Sequence, residues 1–351
     1  MSKQNSIQYA GSPEVSAPAR VPWAAVATFI AISFGLAWVI ALPVWLIDKD
    51  RPGYQVLFTV LASVMMFTPA IATLVVMLLL KVPMRGNRLR LLGVWPLRPA
   101  KRVVWFTVAA VVAPLLLTLA SLGVAAAFGW LTLDLVHFSG FQQTLDGQFA
   151  TLDPATAEAA KASLPPLGLL VGLQLLAIPF GAVFNSIFAF GEEIGWRGWL
   201  LPALRPLGTW PALLLSGVIW GLWHAPLILL GYNFNRTDFS GVLLMVGGCV
   251  AWGVLFGWAR LRTGSVWPAV VGHGALNASA GLFLVVGAAE APFDPALVSP
   301  LGVAGWIVLA AVTLTLALTG QFKRQPQLAG PVLRPASPNS GQNGTVQGPA
   351  H

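Results

Sequence analysis

Eight stretches without Asp, Glu, Lys or Arg dominate this chain: 21–47, 52–80, 103–133, 162–191, 206–235, 239–259, 263–289 and 295–322. The shortest has 21 residues. A helix needs about 20 mostly apolar residues to cross roughly 30 Å of hydrocarbon, so each stretch is long enough to span a bilayer. Only 9% of the 351 residues are charged, against about 25% in soluble domains, which excludes an ordinary soluble enzyme. Outer-membrane barrels show alternating segments of ~10 residues instead. The expected fold is therefore all-α and polytopic, with about eight transmembrane helices between residues 21 and 322. Polar tails at 1–20 and 323–351 read as disordered.

The net charge of +8 is a topology signal and does not point to nucleic acid. If the N-terminus is cytoplasmic, 16 of the 20 basic residues fall on cytoplasmic pieces. Lys81, Arg85, Arg88, Arg90, Arg98, Lys101 and Arg102 form the densest group. The far side receives four basic residues and nine of the 12 acids. Lys and Arg resist translocation, so both termini are expected inside a cell membrane. The first apolar run exceeds the 7–15 residues of a secretory h-region, so it is expected to be a retained span. Between spans, Asp153-Pro154 reads as the start of a short extramembrane helix. Most of the 15 tryptophans are expected at the lipid or the interface. A lone Cys249 excludes an intrachain disulfide and reads as a small buried hydrophobe.

Ionisable groups inside apolar spans are expensive, at about 2.5–3.5 kcal/mol each on insertion scales, and so mark function. They gather in the second half of the chain: Glu192 and Glu193 after the fourth run, His224 in the fifth, His273 with Asn277 in the seventh. Residues four apart share a helix face. Arg197 can thus pair with Glu193, and His273 and Asn277 present a ring nitrogen and an amide to one side. Glu192 points about 100° away from Glu193, which suggests a separate role. Counted from the basic end, His224 lies ~20 Å deep, His273 ~10 Å, Asn277 ~16 Å and Glu192 ~10–12 Å, within reach of one cavity toward the cytoplasmic side. The fourth helix would run from Leu167 to Leu200, ~51 Å if straight, so it must tilt, kink at Pro179 or start later.

A carboxylate and an imidazole facing one water can take its proton. A second imidazole and a carboxamide can donate to the oxyanion of a tetrahedral intermediate. The set suits water attack on an amide. No Cys lies in these motifs, and no Gly-x-Ser-x-Gly elbow supplies a nucleophile. Glu192, His224 and His273 are also a possible zinc set, although the His-Glu-x-x-His helix is absent. The same groups serve a proton relay in a transporter. A non-catalytic membrane scaffold or immunity protein that keeps the fold is the third class.

These residues resemble a known family. Glu192-Glu193-Ile194-Gly195-Trp196-Arg197 is similar to the Glu-Glu-x-x-x-Arg signature of the CPBP intramembrane proteases, the type II CAAX prenyl endopeptidases and their bacterial bacteriocin-processing or self-immunity (Abi) relatives. Trp220-x-x-x-His224 resembles the Phe-x-x-x-His signature, with Trp in a packing role for Phe. His273-x-x-x-Asn277 resembles the third, His-x-x-x-Asn/Asp, and 262–268 also looks like family sequence. The resemblance covers about 165–285. It implies Glu192 as general base with His224, His273 and Asn277 as the oxyanion hole, and Glu193 with Arg197 as support. The implied substrate is a membrane-associated or lipidated (CAAX-like) protein. No cofactor is expected to be required, with zinc as the open alternative.

Overall fold

The computed structural model describes residues 20–82 and 88–323. The expected tails, apart from Arg20 and Lys323, lie outside the described residues, as does Arg85 of the basic loop. Among the described residues the elements are helical and no strand forms; the single β-bridge joins Leu133 and Gly287. In order they are α1 (Trp23–Leu46), α2 (Tyr54–Met65), α3 (Thr68–Leu78), α4 (Arg88–Leu92), α5 (Ala100–Ala127), α6 (Ser139–Phe149), α7 (Pro154–Ala162) and α8 (Leu167–Glu193). A π-helical segment (Ile194–Leu200) and α9 (Leu201–Leu204) continue α8. Then come α10 (Thr209–Trp223), α11 (Ala225–Ile228), α12 (Phe239–Thr263), α13 (Trp267–Ser279), α14 (Leu282–Val286), α15 (Pro295–Val298) and α16 (Val303–Leu318).

Among the described residues, seven helical stretches have the length and apolarity to cross a bilayer. The fifth apolar run departs from the expected span. It forms only the 15-residue α10 and the short α11. Pro226 is the cause: it has no N–H to continue the ladder and disfavours helix at Ala225. The helix therefore ends at Trp223, and His224 sits on the break. Pro69 acts likewise in the run 52–80, which parts into α2 and α3 around Met66–Phe67. The fourth span, Leu167–Leu207, has 41 residues, longer than the expected helix to Leu200; Pro179 lies inside it and its wide π turn follows Glu193.

Consecutive spans alternate in direction, which gives the bundle two distinct ends. One carries residues 79–82 and 88–99. There Arg260 Nη2 donates to the Leu91 carbonyl (2.6 Å), and Arg102 Nη1 to that of Arg262 (3.4 Å). The other end carries 47–53, 128–166, 229–238 and 287–302. Lys49 Nζ bonds the Leu230 carbonyl there (3.3 Å), and Asp134 N bonds that of Val286 (2.8 Å). These are the basic and acidic ends of the sequence. At the acidic end Asp153 caps α7, accepting from Thr156 N at 3.0 Å as its position before Pro154 suggested. Asp134 accepts from the amides of Val136, His137 and Ser139 and from the Ser139 hydroxyl, which holds its carboxyl well below the usual carboxylate range.

Most of the 15 tryptophans are exposed or half-buried, as expected, and five are not. Six tryptophans are exposed on the bundle surface, but Trp196, Trp199, Trp220, Trp223 and Trp252 are buried in its core. Room for such large rings between close helices comes from small residues beside them. A Cβ on Gly221 would lie 2.4 Å from Val246 Cα, so α10 and α12 touch backbone to backbone there. A Cβ on Gly274 would lie 2.4 Å from the Ala182 carbonyl, which does the same for α13 and α8. Gly221→Leu should destabilise the detergent-purified protein by about 1–3 kcal/mol, the usual cost of overpacking. Gly123→Leu should cost far less, because a Cβ there meets nothing within 4 Å. Thermal unfolding followed by core tryptophan fluorescence checks the difference.

Candidate active site

Glu193 is fully buried at the end of α8. Such a carboxylate needs a partner. One oxygen, Oε1, accepts from Arg197 Nη1 at 2.7 Å and lies 3.0 Å from His273 Nδ1. The first contact is the expected i,i+4 pair. The second crosses from α8 to α13 and ties two of the three motifs together. Arg197 is as buried, and its guanidinium lies 4.2 Å over the Trp220 ring. Its own carbonyl accepts from Arg260 Nε at 3.1 Å, so the basic-end loop, Arg260, the π turn and Glu193 form one connected series.

Glu192 has other neighbours, as the 100° offset suggested. Its Oε2 accepts from Trp220 Nε1 at 2.6 Å and Trp196 Nε1 at 3.3 Å. Both bonds fall on one oxygen, which leaves Oε1 for the cavity that Glu192 lines. Trp220 is therefore more than the packing residue that the sequence implied. A phenyl ring in its place has no N–H to give.

His224 sits one turn further along, where its Nδ1 lies 2.9 Å from the Trp220 carbonyl. A carbonyl only accepts, so Nδ1 carries the proton and Nε2 holds the lone pair. Cys249 is fully buried, and its Sγ is 3.8 Å from the same Nδ1. The Trp220 ring meets His273 edge-on at 5.3 Å, and Phe256 stacks on His273 from another side.

Glu192, His224, His273 and Asn277 all line one cavity of about 430 Å³. Asn277 lies on the exposed side of α13, one turn after His273, and reaches the cavity from there. Glu193 and Arg197 stand behind this wall. Asn185 was missed by the sequence reading, which followed ionisable groups. It also lines the cavity, and its seven-residue spacing from Glu192 places it on the same helix face. The lining also includes Gln55, Tyr232, Asn233 and Leu301 from the acidic end of the bundle. The cavity also reaches the lipid-facing surface beside Thr59 and the exposed ring of Phe184.

Among the described residues no three His, Cys, Asp or Glu side chains group as a metal would need. One oxygen of Glu192 is held by two indoles, and one nitrogen of each histidine is taken by Glu193 or a carbonyl.

Residues 167–279, from the start of α8 to the end of α13, match the family described as type II CAAX prenyl endopeptidase Rce1-like. The chain is also 27% identical over 150 residues to the CAAX prenyl protease 2 of Methanococcus maripaludis. That alignment covers 35% of this chain and 55% of the relative, so the chain spans about half the length of the curated protein it matches. All six residues singled out above fall inside the matched segment, whose Glu-Glu-x-x-x-Arg, Trp-x-x-x-His and His-x-x-x-Asn motifs make this part of the chain similar to the CPBP intramembrane proteases.

Proposed function

We propose that this multi-pass membrane protein is an intramembrane endopeptidase that hydrolyses a peptide bond of a membrane-associated or lipidated protein. One observation carries the reading: three helices deliver Glu192, His224, His273 and Asn277 to the wall of a single cavity. Glu192 Oε1 and His224 Nε2 are both acceptors. A water between them is pulled on by two bases, and one proton leaves to Glu192 as the oxygen attacks the carbonyl carbon. Asn277 Nδ2 and a protonated His273 Nε2 donate to the oxyanion. The Glu193 carboxylate accepts from His273 Nδ1–H and orients the ring. Arg197 pairs with Glu193 at 2.7 Å and holds it in place. The proton on Glu192 then passes to the leaving amine.

A substrate held by the bilayer fits the cavity, which reaches lipid beside Thr59 and Phe184. The family match and the relative's name support lipidated proteins as the class. We place the basic end in the cytoplasm of a cell membrane, from the charge bias alone.

A library of lipidated peptides in nanodiscs, with product masses read out, tests the reading. Glu192→Gln and His224→Ala should each lower kcat by about 10²–10⁴, the usual weight of acid–base groups, while the protein still folds. Wild-type rates in both variants would end the proteolytic reading. Metal chelators should leave the wild-type rate unchanged, and a loss restored by zinc would replace this mechanism with a metal one. Trp220→Phe should lower kcat/KM about 10–100-fold, since it removes a donor to a charged group and keeps the ring under Arg197.

A further inference from the structure

We infer that Arg260 is a positioning residue for hydrolysis: it replaces a backbone donor that Pro202 cannot supply, and so holds the π turn from which Arg197 clamps Glu193. This rests on the peptidase reading and deepens it. Arg260 does not line the active-site cavity and touches neither the attacking water nor the substrate in that reading.

The need for an outside donor follows from the backbone. A π turn pairs each carbonyl with the N–H five residues on. Leu201 N accordingly bonds the Trp196 carbonyl. The next carbonyl is that of Arg197, and its partner five residues on is Pro202, which has no N–H. Buried carbonyls are rarely left unpaired. Here the donor comes from another helix: Arg260 Nε on α12 reaches the Arg197 oxygen at 3.1 Å.

Arg260 is an expensive way to fill that gap. It is fully buried, no carboxylate among the described residues pairs with it, and its Nη1 finds no partner. Its other bond shows what the arrangement gains. Nη2 donates to the Leu91 carbonyl at 2.6 Å, and a Cβ on Gly93 would stand 2.7 Å from Cζ, so the 91–93 backbone closes over the guanidinium. The same segment holds the foot of α13. The Gly93 carbonyl accepts from Val266 N at 3.0 Å and from the Ser265 hydroxyl at 3.1 Å, and the Val94 carbonyl accepts from Trp267 Nε1 at 3.1 Å. Residues 91–94 therefore hold the π turn through Arg260 and the start of α13 directly. Glu193 precedes the first and His273 lies in the first two turns of the second, so this clamp sets the 3.0 Å contact between Glu193 Oε1 and His273 Nδ1.

The test uses the full-length protein in nanodiscs and the best-cleaved peptide of the library above. Arg260→Met keeps an apolar stem and removes both bonds. It should lower kcat by up to about 100-fold, the scale of a misplacement of ~1 Å, and leave KM unchanged. Adding Pro202→Ala supplies an N–H five residues after Arg197 and should recover kcat about tenfold, roughly what one hydrogen bond is worth. Mere loss of packing is not repaired by a second, smaller side chain. Hydrogen exchange of the 194–201 amides, read by mass spectrometry, should rise in Arg260→Met and fall again in the double variant. Unchanged kcat in Arg260→Met, or a double variant no better than the single one, would overturn the role. Should Arg260→Met fail to fold, Arg260→Lys carries the same test: one ammonium cannot serve both carbonyls, so kcat falls and Pro202→Ala must restore it. Wild type that cleaves no peptide refutes the peptidase reading and the role in hydrolysis with it. Cleavage by wild type with either overturning result refutes the role of Arg260 alone.

Discussion

A carboxylate cannot stay charged in the middle of a helical membrane bundle without a partner, and Glu193 meets that constraint with two. Its Oε1 is shared by Arg197 within the helix and by His273 across the bundle. Removing either would leave a buried charge uncompensated, a change that commonly costs several kcal/mol. The sharing also does structural work. It fixes the end of α8 against α13, and through the ring stacked under Arg197 it fixes α10 as well. The pair of adjacent glutamates thus divides its labour: Glu193 is locked behind the wall, and Glu192, held by two indoles on one oxygen, turns the other to the cavity.

Broken helices and close backbones make this possible. Pro226 ends α10 beside His224, and Pro69 parts α2 from α3 next to the motif-bearing segment. Around these breaks Gly221 and Gly274 let neighbouring helices approach until backbones touch. Freed backbone groups at membrane depth are tolerable only inside protein or along a wet cavity, and His224 uses one such group, the Trp220 carbonyl, to fix its tautomer.

Much of this was legible in the sequence because it depends on spacing within one helix. Runs of uncharged residues revealed the helical membrane fold, and the four-residue interval revealed Glu193–Arg197. The interval between His273 and Asn277 likewise predicted that both reach one cavity. Contacts between helices were not legible. Nothing in the chain says that His273, 80 residues away, meets Glu193. Trp220 looked like an aromatic spacer, since its N–H matters only once Glu192 is placed beside it. The tryptophans as a class looked interfacial, although the five largest core rings are indoles.

Peptide hydrolysis at this site requires Glu192 and His224 to act on one water. The most direct measurement is an experimental structure of the wild-type protein in lipid, at a resolution that reveals ordered solvent. A water within about 2.6–3.2 Å of both Glu192 Oε1 and His224 Nε2 is the predicted result. A dry cavity, or the two side chains turned to different compartments, would contradict it.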